Sequence, residues 1–252
     1  MQAEQITLLV GIGLIGGIWN AIAGGATLFT FPALMAAGLP PVVANATNYL
    51  ALLPANAAAL PAYKDELINL GKTLLPLVFV SGLGAIVGSL LLLYSEPDVF
   101  KLLIPFLILL ATLLFATGDI LRQRLLAMAG ENKSALLTYI ALFLCSIYGG
   151  YFGAGLGVIL LAIAQIMGFK DFHVANSIKN LLATSFTLLS ILIFGIGGLI
   201  AWPEAFIMMT GSTIGGYLGG RYAKLVNQRV LKTLVIGFGL FLSAIYFART
   251  FG

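Results

Sequence analysis

Two clusters of polar residues interrupt otherwise apolar stretches of this chain: Asn45, Thr47 and Asn48, then Asn176, Ser177, Lys179 and Asn180. Asn176, Asn180, Thr184 and Thr187 recur every three or four residues, so a helix would carry them on one face, and Asn45, Asn48 and Asn56 share a face in the same way. Amides and hydroxyls in an apolar setting are unfavourable unless something satisfies them. Two such stripes suggest one shared polar cavity, or ordinary hydrogen bonding between helices. Lys179 is the only Lys or Arg inside an apolar stretch, bordering the face of Asn176. A cation there suits an anionic ligand. Its stem is also long enough to carry the ammonium to a membrane interface.

A second pair of features is made of backbone. Gly24-Gly25-Ala26-Thr27 and Gly153-Ala154-Gly155-Leu156-Gly157 each close one apolar stretch and open the next. A helix starting there aims unpaired N–H groups and a partial positive charge outward. That arrangement favours an anion, and glycine lets the backbone approach it closely. The competing expectation is that these glycines only allow helices to pack tightly.

Other chemistries lack their residues. His173 is the sole histidine, at a helix start, where it is either structural or a proton carrier together with Lys179. One histidine and one cysteine do not make a metal site. No Ser, Cys and His set suggests a nucleophile, so the expectation is not an enzyme, and no cofactor is implied. No phosphate-cradling loop followed by Lys-Ser or Lys-Thr occurs, which argues against ATP as an energy source. All nine acidic residues fall in loops, at termini or near segment ends, which argues against a carboxylate cation site or proton relay.

The elements that position these residues follow from composition. The 252 residues are 60% hydrophobic and 9% charged, against roughly 25% charge in soluble domains. With a mean hydropathy of +1.07, this composition indicates an all-α integral membrane protein. The runs do not alternate as barrel strands do. A net charge of +4 on such a chain does not point to nucleic acid. The apolar segments read as 6–23, 26–39, 43–62, 72–94 and 99–120, then 135–152, 155–168, 173–199, 203–221 and 230–248. The first two of each half are short and meet at glycines, as two tightly joined spans or as a glycine-broken, re-entrant hairpin. Cys145 lies in an apolar run, without a partner for an internal disulfide. The N-terminus lacks the basic flank of a secretory signal, so the first segment is expected to be retained.

The two halves repeat each other at an offset of about 130 residues. Gly24-Gly25 matches Gly153-Ala154-Gly155, Gly38-Leu39 matches Gly168-Phe169, and Ala44-Asn45 matches Ala175-Asn176. Gly84 and Gly88 align with Gly215 and Gly219. Ten of the thirteen Lys and Arg residues fall on one side, leaving Lys101 and Arg249 opposite and Lys179 within a segment. The positive-inside rule then puts both termini on the non-cytoplasmic side. Equivalent loops carry opposite charge: Lys64 and Lys72 correspond to a loop without basic residues, and Glu96-Pro97-Asp98 to one with Arg221, Lys224 and Arg229. The halves are therefore expected to be inverted: a first repeat over 1–124, a cytoplasmic linker over 125–134 and a second repeat over 135–252. That is the pattern of a secondary transporter with its site between the repeats.

The stretch from Ala21 to Leu34, with its Gly24-Gly25-Ala26-Thr27 turn and the later Ala46-Thr47-Asn48, resembles the glycine-rich first motif of the TauE/SafE family, the sulfite exporter or toluene sulfonate uptake permease (TSUP) family. Ser177-Ile178-Lys179-Asn180-Leu181-Leu182-Ala183-Thr184-Ser185 resembles the counterpart in the second half, and Gly211 to Arg221 the penultimate helix. The glycine run is shorter than in many members, and Asn20 stands where some carry an acidic residue. The resemblance implies an inner-membrane transporter of small sulfur-containing anions such as sulfite, sulfonates or sulfoacetate. The expected site comprises Gly24, Gly25, Thr27, Asn45, Thr47, Asn48, Gly153, Gly155, Asn176, Ser177, Lys179 and Asn180. H+ or Na+ are the coupling ions to consider, and the lipid bilayer is the expected surrounding. A passive anion channel, or a carrier of an unrelated solute or cation, are the rival classes.

Overall fold

The computed structural model describes residues 3–22, 25–57, 60–129, 135–222 and 228–252. Gly24, Lys133 and Lys224 lie outside the described residues, as do the side chains of Asn56, His173, Arg229 and Lys232. Among the described residues the regular structure is entirely helical: α1 (Ala3–Ile22), α2 (Thr27–Ala36), α3 (Pro41–Ala57), α4 (Lys64–Leu70), α5 (Leu75–Leu93), α6 (Pro97–Ala129), α7 (Ala135–Tyr151), α8 (Gly157–Ile166), α9 (Phe172–Ile196), α10 (Trp202–Tyr222) and α11 (Gln228–Phe251). Short 3₁₀ turns, Leu60–Tyr63 and Gly71–Leu74, flank α4. All ten expected segments are helices. The third ends at Ala57 rather than at 62, because the chain then folds into the α4 region. The helix expected to end near 120 runs on to Ala129, because Leu125-Leu126-Ala127-Met128-Ala129 are strong helix formers. The first five residues of the expected linker are therefore helix.

Five helical stretches are long and apolar enough to cross a membrane, the longest being Pro97–Met128. Large apolar side chains stand exposed on the outer helices, among them Phe79, Leu91, Leu137, Ile196 and Phe241. Bare hydrocarbon on this scale suits lipid and not water. The chain is a multi-pass membrane protein.

α2 and α8 have ten residues each, about 15 Å of helix against a hydrocarbon core about 30 Å thick. Neither is long enough to cross alone. Gln5, near the start of α1, donates from Nε2 to the carbonyl of Ala37 at the end of α2, 3.1 Å away. Farther along, a Cβ on Gly16 would meet the Thr30 methyl at 2.6 Å. In the second half, Arg122 near the end of α6 reaches Gln165 near the end of α8 at 3.3 Å. The end of α2 thus returns to the start of α1, while α1 by itself is among the five stretches long and apolar enough to cross. α2 and α8 stop alike. Gly38 and Gly168 have φ of +100° and +105°, which lets the next amide reach back to Leu34 and to Ala164, each at 3.2 Å.

Helix pairing exchanges partners between the halves. α1 packs along α10, and α7 along α5. Both contacts close on glycine, where backbones touch. A Cβ on Gly84 or Gly88 would collide with the carbonyls of Phe143 and Ile147. A Cβ on Gly211 or Gly215 would collide with those of Val10 and Leu14. Gly84 meets Phe143 O and Ile147 N as Gly215 meets Leu14 O and Ile18 N, the pairing that the sequence offset expects. Small residues at such contacts let helices gain dispersion energy where lipid provides no hydrophobic drive. The halves also meet through an aromatic edge: Phe31 of α2 lies 5.5 Å from Phe152 at 89°.

Candidate functional site

The two glycine loops converge on the middle of α6. A Cβ on Gly25 would lie 3.6 Å from the Phe115 ring, and one on Gly155 would lie 2.9 Å from the Ala111 carbonyl. Both residues have positive φ, +82° and +77°. At Gly155 the close approach to α6 and the left-handed backbone both demand glycine. From these loops α2 and α8 begin, at Thr27 and Gly157, and neither has a side-chain cap. Two helix N-termini, with their partial positive charges, therefore lie against the middle of α6.

The opposite terminus at the second break, the end of α7, is closed. A helix leaves its last four carbonyls without intrahelical partners, and here each receives a donor. Tyr148 O accepts from the amides of Phe152 at 2.9 Å and Gly153 at 3.0 Å. Gly149 O accepts from the Tyr49 hydroxyl at 2.5 Å, Gly150 O from the Ser89 hydroxyl at 3.4 Å, and Tyr151 O from Asn45 Nδ2 at 2.8 Å. The last three donors come from the first half. The Tyr148 hydroxyl also holds the loop, donating to Ala154 O at 2.7 Å. Gly153 sits against this network: a Cβ there would lie 3.1 Å from the Tyr49 hydroxyl.

The candidate residues divide by position. Asn45 and Asn48 join the two loops, since Asn48 Nδ2 donates to the Thr27 hydroxyl at 3.3 Å. Thr47 is turned elsewhere, because its hydroxyl accepts from the Ala201 amide at 3.0 Å and ties α3 to the start of α10. Ser177 is sealed within its own helix, donating to Val174 O at 2.7 Å. Asn176 donates to the Tyr63 hydroxyl at 2.7 Å, in the turn before α4. Lys179 is half-buried, and its stem passes α8 where a Cβ on Gly157 would meet Cδ at 3.7 Å. No hydrogen bond or ion pair joins Lys179 or Asn180 to another described residue. Farther along the same face, the Thr184 hydroxyl is buried without a partner among the described residues. No cluster of three or more His, Cys, Asp or Glu occurs among them either.

Sequence reasoning missed Tyr49, Tyr63, Ser89 and Phe115. Tyr49, Ser89 and Phe115 lie inside apolar segments and Tyr63 just past the end of one, without a local signal that sets them apart. Tyr49 alone left a trace, four residues from Asn45 and so on the same helical face.

Broken helices meeting between two halves of a lipid-facing helical bundle define a membrane transporter by class. A family model described as "Sulfite exporter TauE/SafE" matches residues 9–247, and the chain belongs to that family. It is 32% identical over 240 residues to a "Probable membrane transporter protein" of Haemophilus influenzae, covering 92% of this chain and 91% of that one. It is 29% identical to "Probable membrane transporter protein YfcA" of Escherichia coli K12, over 91% and 84% of the two chains. A Sinorhizobium relative, "Probable membrane transporter protein ORF9", is 28% identical over 92% and 88%. No solved structure matches.

Proposed function

We propose that this chain is a secondary transporter of small sulfur-containing anions of the sulfite, sulfonate and sulfoacetate kind, embedded in the cell inner membrane. The observation that carries the reading is the meeting of two uncapped helix N-termini, at Thr27 and Gly157, beside Lys179, which has no counter-charge among the described residues. An oxyanion at this level takes backbone N–H donors and the Thr27 hydroxyl, and Lys179 balances its charge. Asn180 supplies a further donor from α9. The two repeats, 1–124 and 135–252, are inverted and rock against each other to alternate access. Support for inversion comes from the exchange of helix partners, α1 with α10 and α7 with α5. Three full passes per half after a re-entrant hairpin give the same result. Both termini then face away from the cytoplasm, in keeping with the distribution of Lys and Arg.

Thermal stabilisation of the purified protein tests the substrate class, because a ligand bound only to the folded state raises the melting temperature according to its affinity. Sulfite, sulfate, thiosulfate, sulfoacetate, taurine and chloride form the panel. A shift selective for a sulfur anion, abolished in Lys179→Ala, is expected. An undiminished shift in Lys179→Ala rejects charge balance by this residue. No shift with any anion at millimolar concentration rejects the oxyanion site.

A further inference from the structure

We propose that the amide oxygens of Asn45 and Asn48 form a binding site for a monovalent cation between the two glycine loops. Both side chains are sealed within the protein, at 0% and 2% exposure. The Asn45 nitrogen faces the Tyr151 carbonyl at 2.8 Å, and the reverse orientation would set oxygen against oxygen. Its amide is therefore oriented by chemistry alone. Asn48 points its nitrogen at the Thr27 hydroxyl. This leaves Oδ1 of both residues buried and without a donor among the described residues. The two residues are three apart on α3, so the oxygens belong to one helical face.

Paired acceptors of this kind repel an anion and attract a positive charge. The end of α7 lies beside Asn45 and adds its partial negative charge. Both ligands are neutral, and no Asp or Glu occurs between residues 5 and 64. Neutral oxygens suit one positive charge, whereas divalent ions are ordinarily held by carboxylates. The tight enclosure of both side chains favours a small ion, and Na+ is the probe. With an anion at the adjacent helix N-termini, each charge strengthens binding of the other, which makes this the coupling ion of the transporter. That consequence rests on the anion reading, whereas cation binding itself does not.

The purified protein is melted in choline chloride with no sulfur anion present, and choline is replaced stepwise by Na+, Li+ or K+ at constant chloride. The expected result is a saturable rise in melting temperature with Na+ that is lost in Asn48→Leu. In Asn48→Asp, which keeps the shape and adds a charge, the midpoint should fall at least about tenfold in Na+ concentration. Identical melting in Na+ and choline, or an undiminished shift in Asn48→Leu, overturns the site and leaves a bridging water on the two oxygens. Should Asn48→Leu fail to fold, an unchanged midpoint in Asn48→Asp overturns it equally. A sulfite titration in choline separates the two proposals. A Na+ response without any anion response keeps the cation site and rejects the anion reading; the reverse rejects only the site. Where both respond, Na+ should lower the anion Kd by roughly 5- to 150-fold, and independent Kd values overturn coupling.

Discussion

Replacing Tyr49 with Phe removes one oxygen atom and tests whether the break after α7 is held by donors from the other half. Tyr49 is 7% exposed, and its hydroxyl is the donor to the Gly149 carbonyl at 2.5 Å. The neighbouring carbonyls have donors of their own, and a Cβ on Gly153 would already lie 2.9 Å from Gly149 O, so little space remains for a replacement. Orphaning a buried acceptor costs about 1–3 kcal/mol in soluble proteins. Hydrogen bonds inside membrane proteins measure lower, about 0.6 kcal/mol on average and about 1.7 at most. With the acceptor at a helix end and no alternative donor, the upper part of the membrane range applies, about 1.5 kcal/mol. For a chain of this size that is a fall in melting temperature of about 3–6 °C. Unfolding of the detergent-solubilised protein, followed by intrinsic fluorescence, reads it out. Tyr94→Phe, altering a hydroxyl on a side chain that is 80% exposed, is the control and should change nothing. If Tyr49→Phe melts with the wild type, the carbonyls at the end of α7 find other partners, and the idea that the first half holds the second half's break open is wrong.

The exchanged glycine contacts predict matched losses. Gly88→Ala and Gly215→Ala each drive a Cβ into a carbonyl, of Ile147 and Leu14 respectively, and each should cost about 1–3 kcal/mol and lower the folded yield in detergent chromatography. A large difference between them would contradict equivalence of the two interfaces. Gly155→Ala should abolish anion-induced stabilisation, whereas Gly237→Ala, with nothing within 4 Å of the new Cβ, should be neutral or stabilising by about 0.5–1 kcal/mol. Equal behaviour of these two variants would remove any special role for the loop. In a Cys145→Ser background, single cysteines at Ser95 and Gly198 should react with an impermeant thiol reagent from outside the cell, and one at Lys170 only from inside. Labelling of all three from one side would exclude inverted repeats.

Composition and pattern sufficed for the membrane class, the ten main helices and the glycine breaks. Each of these rests on local physics: the length of apolar runs, the cost of buried charge, and the conformations glycine permits. The same local signals singled out Asn45, Asn48 and Lys179, because a polar group in an apolar run is conspicuous wherever it folds. Packing decided what each group meets. Thr47 and Ser177 sit beside Asn48 and Asn176 in sequence, yet their hydroxyls bond to Ala201 N and Val174 O, away from the loops. Ser89 carried no warning and Tyr49 only its spacing from Asn45, since their partners, Gly150 and Gly149, lie in the other half of the chain. Hydrogen-bond direction was equally hidden from the sequence. An asparagine offers both donor and acceptor, and only the Tyr151 carbonyl opposite Asn45 decides that the acceptor is the atom left unpaired among the described residues.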